Sequence, residues 1–146
     1  MSTAIHRRVD VLRAGKDPAF VARLASGWAV LGERQVLPGY CLLLPDPVVP
    51  NLNTLKGADR AAFLADMAAL GDAVLAATRA LRINYAIFGN QDPALHAHVI
   101  PRYHDEPAQY ATAQPWAYDW DAAPRFDSEA HRELRDRIHA ALGMTG

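Results

Sequence analysis

The sequence predicts an α+β domain: an antiparallel sheet packed against one long helix, with helical extensions at both ends. Three observations lead there. Short apolar runs bounded by Gly and Pro recur at residues 28–31, 40–44 and 83–88. One long helical pattern occupies residues 58–81. A two-residue alternation, Leu95-His96-Ala97-His98-Val99-Ile100, marks a further strand. A chain of 146 residues fits one domain, with a motif-bearing core at about 20–105 and a C-terminal extension at about 106–146.

In chain order, residues 5–12 read as a short helix stopped by Gly15, and Asp17-Pro18 restarts the chain into a helical turn at 19–24. The run 28–31 is a strand between Gly27 and Gly32. The run 40–44 is a second strand, entered through Pro38-Gly39 and ended by Pro45-Asp46-Pro47, so the two form an antiparallel hairpin. In the long helix, Phe63, Met67, Leu70, Val74 and Leu81 make one apolar stripe, with Leu64 and Leu75 beside it. Residues 83–88 return as a strand, and the turn Gly89-Asn90-Gln91-Asp92-Pro93 leads into the histidine strand. Beyond Pro107 the segment Pro115-Trp116-Ala117-Tyr118-Asp119-Trp120 is aromatic and turn-rich. A last helix at 127–142, capped by Asp127 or Ser128, presents Leu134, Ile138 and Leu142. Trp116 and Trp120 are expected to pack the extension onto the domain rather than stack on a ligand, and His131 and His139 to face solvent.

Composition excludes several classes. A net charge of −1 gives no electrostatic footprint for nucleic acid. The single cysteine, Cys41, lies in a strand interior and is expected to be a buried small apolar residue. No apolar run is expected to approach the roughly 18 residues that span a bilayer. The start of the chain, with His6-Arg7-Arg8, lacks the apolar segment of a secretory signal, so a soluble cytoplasmic protein without a membrane partner is expected.

The alternation delivers His96 and His98 to one strand face, with Ile100, and sends Leu95, Ala97 and Val99 to the other. Three chemistries compete for the pair. They are polar side chains on a solvated face, or two metal ligands completed by His104, Asp105 or Glu106. Alternatively, one imidazole attacks phosphorus while the other, partly protonated near neutral pH, donates to phosphate or leaving group. The preceding turn favours the last, because Asn90 and Gln91 add amide donors suited to a phosphate oxygen.

The run Gly89-Asn90-x-x-Pro93-x-Leu95-His96-x-His98-Val99-Ile100-Pro101-Arg102 resembles the signature of the histidine triad (HIT) family of nucleotide hydrolases and transferases. The resemblance extends upstream through Val36-Leu37-Pro38-Gly39-Tyr40 and covers about residues 27–102. It points to the bacterial diadenosine tetraphosphate hydrolase-like branch. By that resemblance His96 is the nucleophile, forming a nucleotidyl-histidine at the α-phosphate, and His98 contacts the phosphate and assists the leaving group. Asn90 and Gln91 place the phosphate, and Trp28 and Leu31 border the nucleoside. The resemblance further implies a homodimer and a dinucleoside polyphosphate or nucleoside phosphoramidate as substrate; with no metal-ligand set evident in the sequence, no metal or other cofactor is expected. Two positions depart from the pattern. Ala94 stands where the first of three histidines is expected, leaving its support of the nucleophile to backbone, Gln91 or water. Gly32 replaces a ribose-binding asparagine, for which Glu33 is a candidate substitute. The alternatives are a nucleotide sensor with weak turnover and, behind it, a zinc hydrolase built on the His-x-His pair.

Overall fold

Five strands make one antiparallel sheet, in which the fifth strand in sequence lies between the third and the fourth. The computed structural model of the protein describes residues 2–145. Helix α1 (Ala4–Arg13) precedes β1 (Phe20–Arg23), β2 (Gly27–Leu31) and β3 (Cys41–Pro45); α2 (Gly57–Thr78) then crosses to β4 (Arg82–Ala86) and β5 (Ala97–Arg102), and α3 (Ala108–Ala111) and α4 (Arg132–Thr145) follow. The expected α+β architecture, one long helix with helical ends, is the observed one.

The two faces of the sheet follow directly from strand periodicity. On one face Leu95, Ala97 and Val99 join Ala29, Leu31, Cys41 and Leu43 beneath α2, which contributes Phe63, Leu70, Ala73 and Val74. Helix α4 packs on α2 and β1 and buries Ile138 completely in the same core. On the other face Val30, Leu42, Leu44 and Ile100 are covered by Ile5, Val9 and Leu12 of α1, with Tyr40 and Ala94 in the cluster. Cys41 is fully buried, as a small apolar residue would be.

Four expectations are corrected. Residues 19–24 are not a helical turn: they hold β1, whose Ala22 and Arg23 pair with Ala29 and Trp28 across a tight reversal closed by hydrogen bonds between Leu24 and Gly27. The strand's backbone partners come from β2, so sequence-local periodicity carries no sign of them. The long helix ends at Thr78 because Arg79 adopts a left-handed conformation (φ 59°), and Leu81 leaves the stripe for the start of β4, 44% exposed. The last helix starts at Arg132, five residues late: the Asp127 carboxylate spends itself on the Ala130 N–H of a preceding turn. Finally, α2 is by length and apolarity sufficient to cross a bilayer, contrary to expectation. Its buried face against the sheet, and the Asp66 carboxylate that accepts from the Ser26 N–H and hydroxyl at 2.8 and 2.6 Å, identify it as the core helix of this fold.

Candidate active site

β5 sits between β3 and β4, opposite Leu42 and Ala86 at His98, so the histidines rise near the middle of the sheet rather than from an edge. The rings of His96 and His98 have centroids 5.1 Å apart with planes at 71°. Both are half-buried on the α1 face. His96 lies just before the strand begins, and its Nδ1 approaches the Ala94 carbonyl to 2.7 Å. A carbonyl only accepts, so Nδ1 carries a hydrogen, and in the neutral ring Nε2 is the nitrogen with the free lone pair. The support missing at Ala94 is therefore supplied by that residue's own backbone. Its side chain is fully buried in the cluster that includes Ile5 and Val9, and the N-terminal turn of α1 is tied to the same loop through the Ile5 N–H and the Asp92 carboxylate at 3.3 Å.

His98 is hemmed by rings. Tyr40 stacks against it at 5.9 Å with its hydroxyl 2.7 Å from Nδ1, Trp116 stands edge-on at 5.4 Å, and Phe88 is tilted at 6.1 Å. This burial, with the neighbouring His96 in second place, pushes the His98 pKa down to about 4. His98 is thus neutral at neutral pH, correcting the expectation of a partly protonated donor: it offers one ring N–H and no transferable positive charge.

Trp116 is where the sequence expectation for the extension falls short. It packs, against Phe88 and Trp120, but the surface it packs on includes His98, and 43% of it remains exposed. The anchor that brings it there is Arg102, the last residue of the histidine motif and almost fully buried. Its guanidinium forms a buried ion pair with Glu106 at 2.9 Å and donates to the Tyr110 and Ala113 carbonyls, each at 2.7 Å, and to Asn84 Oδ1. Tyr118 donates to the same Glu106. Burial opposes ionisation of that carboxyl, but the hydrogen bonds from Arg102, Tyr118 and the Tyr103 N–H hold its pKa below the usual range. Glu106 is therefore committed to folding the extension, which removes it from the proposed metal set; His104 and Asp105 are exposed. Among the described residues no group of three His, Cys, Asp or Glu is placed to hold a metal ion.

The remaining candidates divide. Asn90 and Gln91 are exposed in the connection that precedes His96. Trp28 lies on the histidine face, but its indole N–H is held by Asp46 at 2.9 Å and its ring by Phe20 and Arg23. Leu31 is fully buried in the core under α2 and cannot border a pocket on the other face. Glu33 is exposed and paired with Arg125 at 3.0 Å, and its backbone carbonyl accepts from the Phe126 N–H of the extension. Neither of the last two meets the histidines. His131 is half-buried and its Nδ1 accepts from the Asp127 N–H, while His139 is exposed, as expected, and donates to the Val21 carbonyl at 2.6 Å, tying α4 to β1. A hollow of about 450 Å³ lies against α4, among Glu129, Arg132, Glu133 and Asp136, and contains neither motif histidine.

Sequence reasoning missed Tyr40, Phe88 and Arg102 as parts of the site. Pro101-Arg102 and Pro38-Gly39-Tyr40, both within the stretch that carries the resemblance, were available as signals for Arg102 and Tyr40; nothing local marks Phe88.

Comparison with known proteins agrees with this fold. A family model described as the HIT domain matches residues 18–105. Among solved structures, a histidine triad protein from Sinorhizobium meliloti is 24% identical with a TM-score of 0.72, covering 89% of this chain and 93% of its own. A histidine triad protein from Marinobacter aquaeolei, 17% identical, has a TM-score of 0.76 over 100% of both chains. A hypothetical histidine triad nucleotide-binding protein from Sulfolobus tokodaii, 16% identical, has a TM-score of 0.73 and covers 93% of this chain and 91% of its own. No curated protein matches the sequence. The solved structures share the fold, while the domain match takes in the paired histidines, the turn before them and more than half of the chain; the protein belongs to the histidine triad (HIT) family.

Proposed function

We propose that this protein cleaves nucleotide derivatives at the α-phosphate through a nucleotidyl-His96 intermediate, transferring the nucleotidyl group to water or another acceptor. The observation that carries the reading is the fixed tautomer of His96: the Ala94 carbonyl holds Nδ1–H and leaves Nε2 as nucleophile. A bond forms between Nε2 and the α-phosphorus as the bond from phosphorus to the leaving group breaks. Water then attacks the labile phosphoimidazolium, returning Nε2 and releasing a nucleoside monophosphate. His98, one ring away, donates a hydrogen bond to a phosphate oxygen while charge builds there. Asn90 and Gln91 supply further donors at the same end.

The neutral state of His98 favours one substrate class. A polyphosphate leaving group departs as a stable anion and needs no proton, whereas an amine must be protonated to leave. Dinucleoside polyphosphates, of the diadenosine tetraphosphate type, are therefore favoured over nucleoside phosphoramidates. On that reading the chain is proposed to belong to the bacterial diadenosine tetraphosphate hydrolase-like branch. A homodimer is the assembly proposed: β4 is a sheet edge with Leu81 and Tyr85 exposed, and α2 exposes Leu64. The test is a rate assay over a panel of both substrate classes with wild type and His96→Ala, alongside sedimentation of the full chain. Turnover of the polyphosphates that vanishes in the variant supports the reading, and turnover unchanged by His96→Ala overturns it.

A further inference from the structure

Gly32 and Tyr40 face one another across the start of the β2–β3 connection, and the space between them is fully used. A Cβ placed on Gly32 would come within 2.2 Å of a Tyr40 ring carbon, so only glycine admits the ring there. The connection is held by buried Gln35, whose amide donates to the Gly32 and Tyr40 carbonyls at 2.8 and 3.0 Å and whose oxygen accepts from the Gly39 N–H. Gly32 N–H also donates to the Tyr40 carbonyl. Trp120 braces the far side of the ring edge-on at 5.2 Å. The Tyr40 side chain is therefore pinned on every side, with its hydroxyl aimed at His98.

We propose that Tyr40 is a positioning residue that donates to His98 Nδ1 and so keeps the His98 hydrogen on Nε2, and that Gly32 is glycine to admit the Tyr40 ring. The inference rests on the reading of the site given above. Tyr40 is 5% exposed, and among the described residues its hydroxyl meets one polar partner, His98 Nδ1 at 2.7 Å. A buried phenol with one neighbouring acceptor donates to it, because the opposite direction leaves its own O–H unsatisfied. Burial pushes the phenol's pKa up against the opposing pull of Arg8, whose guanidinium donates to the Leu31 carbonyl, so the donor hydrogen is retained at neutral pH. The other titratable group facing His98 is His96. With Nδ1 occupied, the N–H of His98 is fixed on Nε2, the nitrogen available to a bound phosphate. The two histidines then carry opposite tautomers: hydrogen on Nδ1 in His96, on Nε2 in His98. One is a nucleophile and its neighbour a donor. The departure at position 32 thereby gains a physical reason: the space is given to a ring that orients the second histidine.

The test reads the tautomers without turnover. In the full-length protein carrying 15N-labelled histidine, imidazole 15N–1H correlation spectra near pH 7 should place the His98 hydrogen on Nε2. Tyr40→Phe removes one oxygen and should shift His98 toward the Nδ1–H form, with kcat down about tenfold and KM within about twofold, the scale of one hydrogen bond. Gly32→Ala should move His98 in the same direction by displacing the ring; if that variant does not fold, Tyr40→Phe alone decides. A wild-type His98 with its hydrogen on Nδ1, or a tautomer untouched by Tyr40→Phe, overturns the assignment. A shifted tautomer with unchanged kcat overturns its role in catalysis. Failure to form any adduct on His96 would sink the proposed function while leaving the tautomer measurement intact.

Discussion

The two faces of β5 are built by different means. Leu95, Ala97 and Val99 enter an apolar core closed by α2 and α4, and all are buried. His96 and His98, one residue out of phase, meet a face finished by distant segments: α1 over Ala94, Tyr40 from the β2–β3 connection, Phe88 after β4 and Trp116 from the extension. On the first face the side chains are interchangeable in kind, and on the second each ring has its own partner. The difference locates function. Both faces bury apolar side chains, but the face under α2 holds a purely apolar cluster, whereas the α1 face also carries the histidines and the rings that surround them.

Perturbing each face separately sharpens that contrast. The largest effect belongs to His96→Ala, which should lower turnover by on the order of 10³-fold or more, as loss of a nucleophile does. Its melting temperature should stay near wild type, since the side chain is only half-buried. Phe63→Ala opens a cavity on the helix face and should cost about 3–5 kcal/mol by denaturant titration. At a concentration where that variant is still folded, its kcat should match wild type; a kcat lost in proportion to stability would break the division between the faces. Ala94→His tests whether restoring the first imidazole helps. The position is fully buried with α1 residues in its cluster, so overpacking should destabilise by roughly 1–3 kcal/mol, with no gain in kcat, because the backbone carbonyl already holds His96.

The smallest change expected is that of Trp116→Ala on the pH dependence contributed by His98. Its folded pKa, about 4, lies below the ordinary value of 6.5. Between those values the unfolded chain takes up a proton that the folded chain refuses, so this contribution to stability is complete above about pH 6.5 and lost as pH falls toward 4. Trp116→Ala uncovers the ring and should raise its pKa, flattening the decline in melting temperature over that window. NMR titration of His98 checks the shift directly, and an unchanged titration would remove Trp116 from the site.

Legibility in the sequence divides along the same line. The alternation at residues 95–100 specified which side chains share a face, and the helical stripe placed Phe63, Leu70 and Val74 in the core. These are local periodicities imposed by burial. β1 escaped because its four residues owe their extended form to β2, although Ser26-Gly27 was a turn signal in plain view. The nearness of Tyr40, Phe88 and Trp116 to His98 depends on strand register and on the Arg102–Glu106 anchor, neither of which spacing along the chain encodes. Leu31 was misplaced for a simpler reason: it is odd-numbered in β2 and points with Ala29 toward α2, away from the histidines.

The central claim is that His96 Nε2 attacks phosphorus, and the most direct measurement is capture of the adduct. The protein is mixed with a dinucleoside polyphosphate, quenched within the first turnovers and digested for mass spectrometry. The account predicts one nucleoside monophosphate moiety attached to the peptide bearing His96, absent from His96→Ala and present in His98→Gln. Brisk turnover with no adduct at any quench time, or an adduct on another residue, would contradict it.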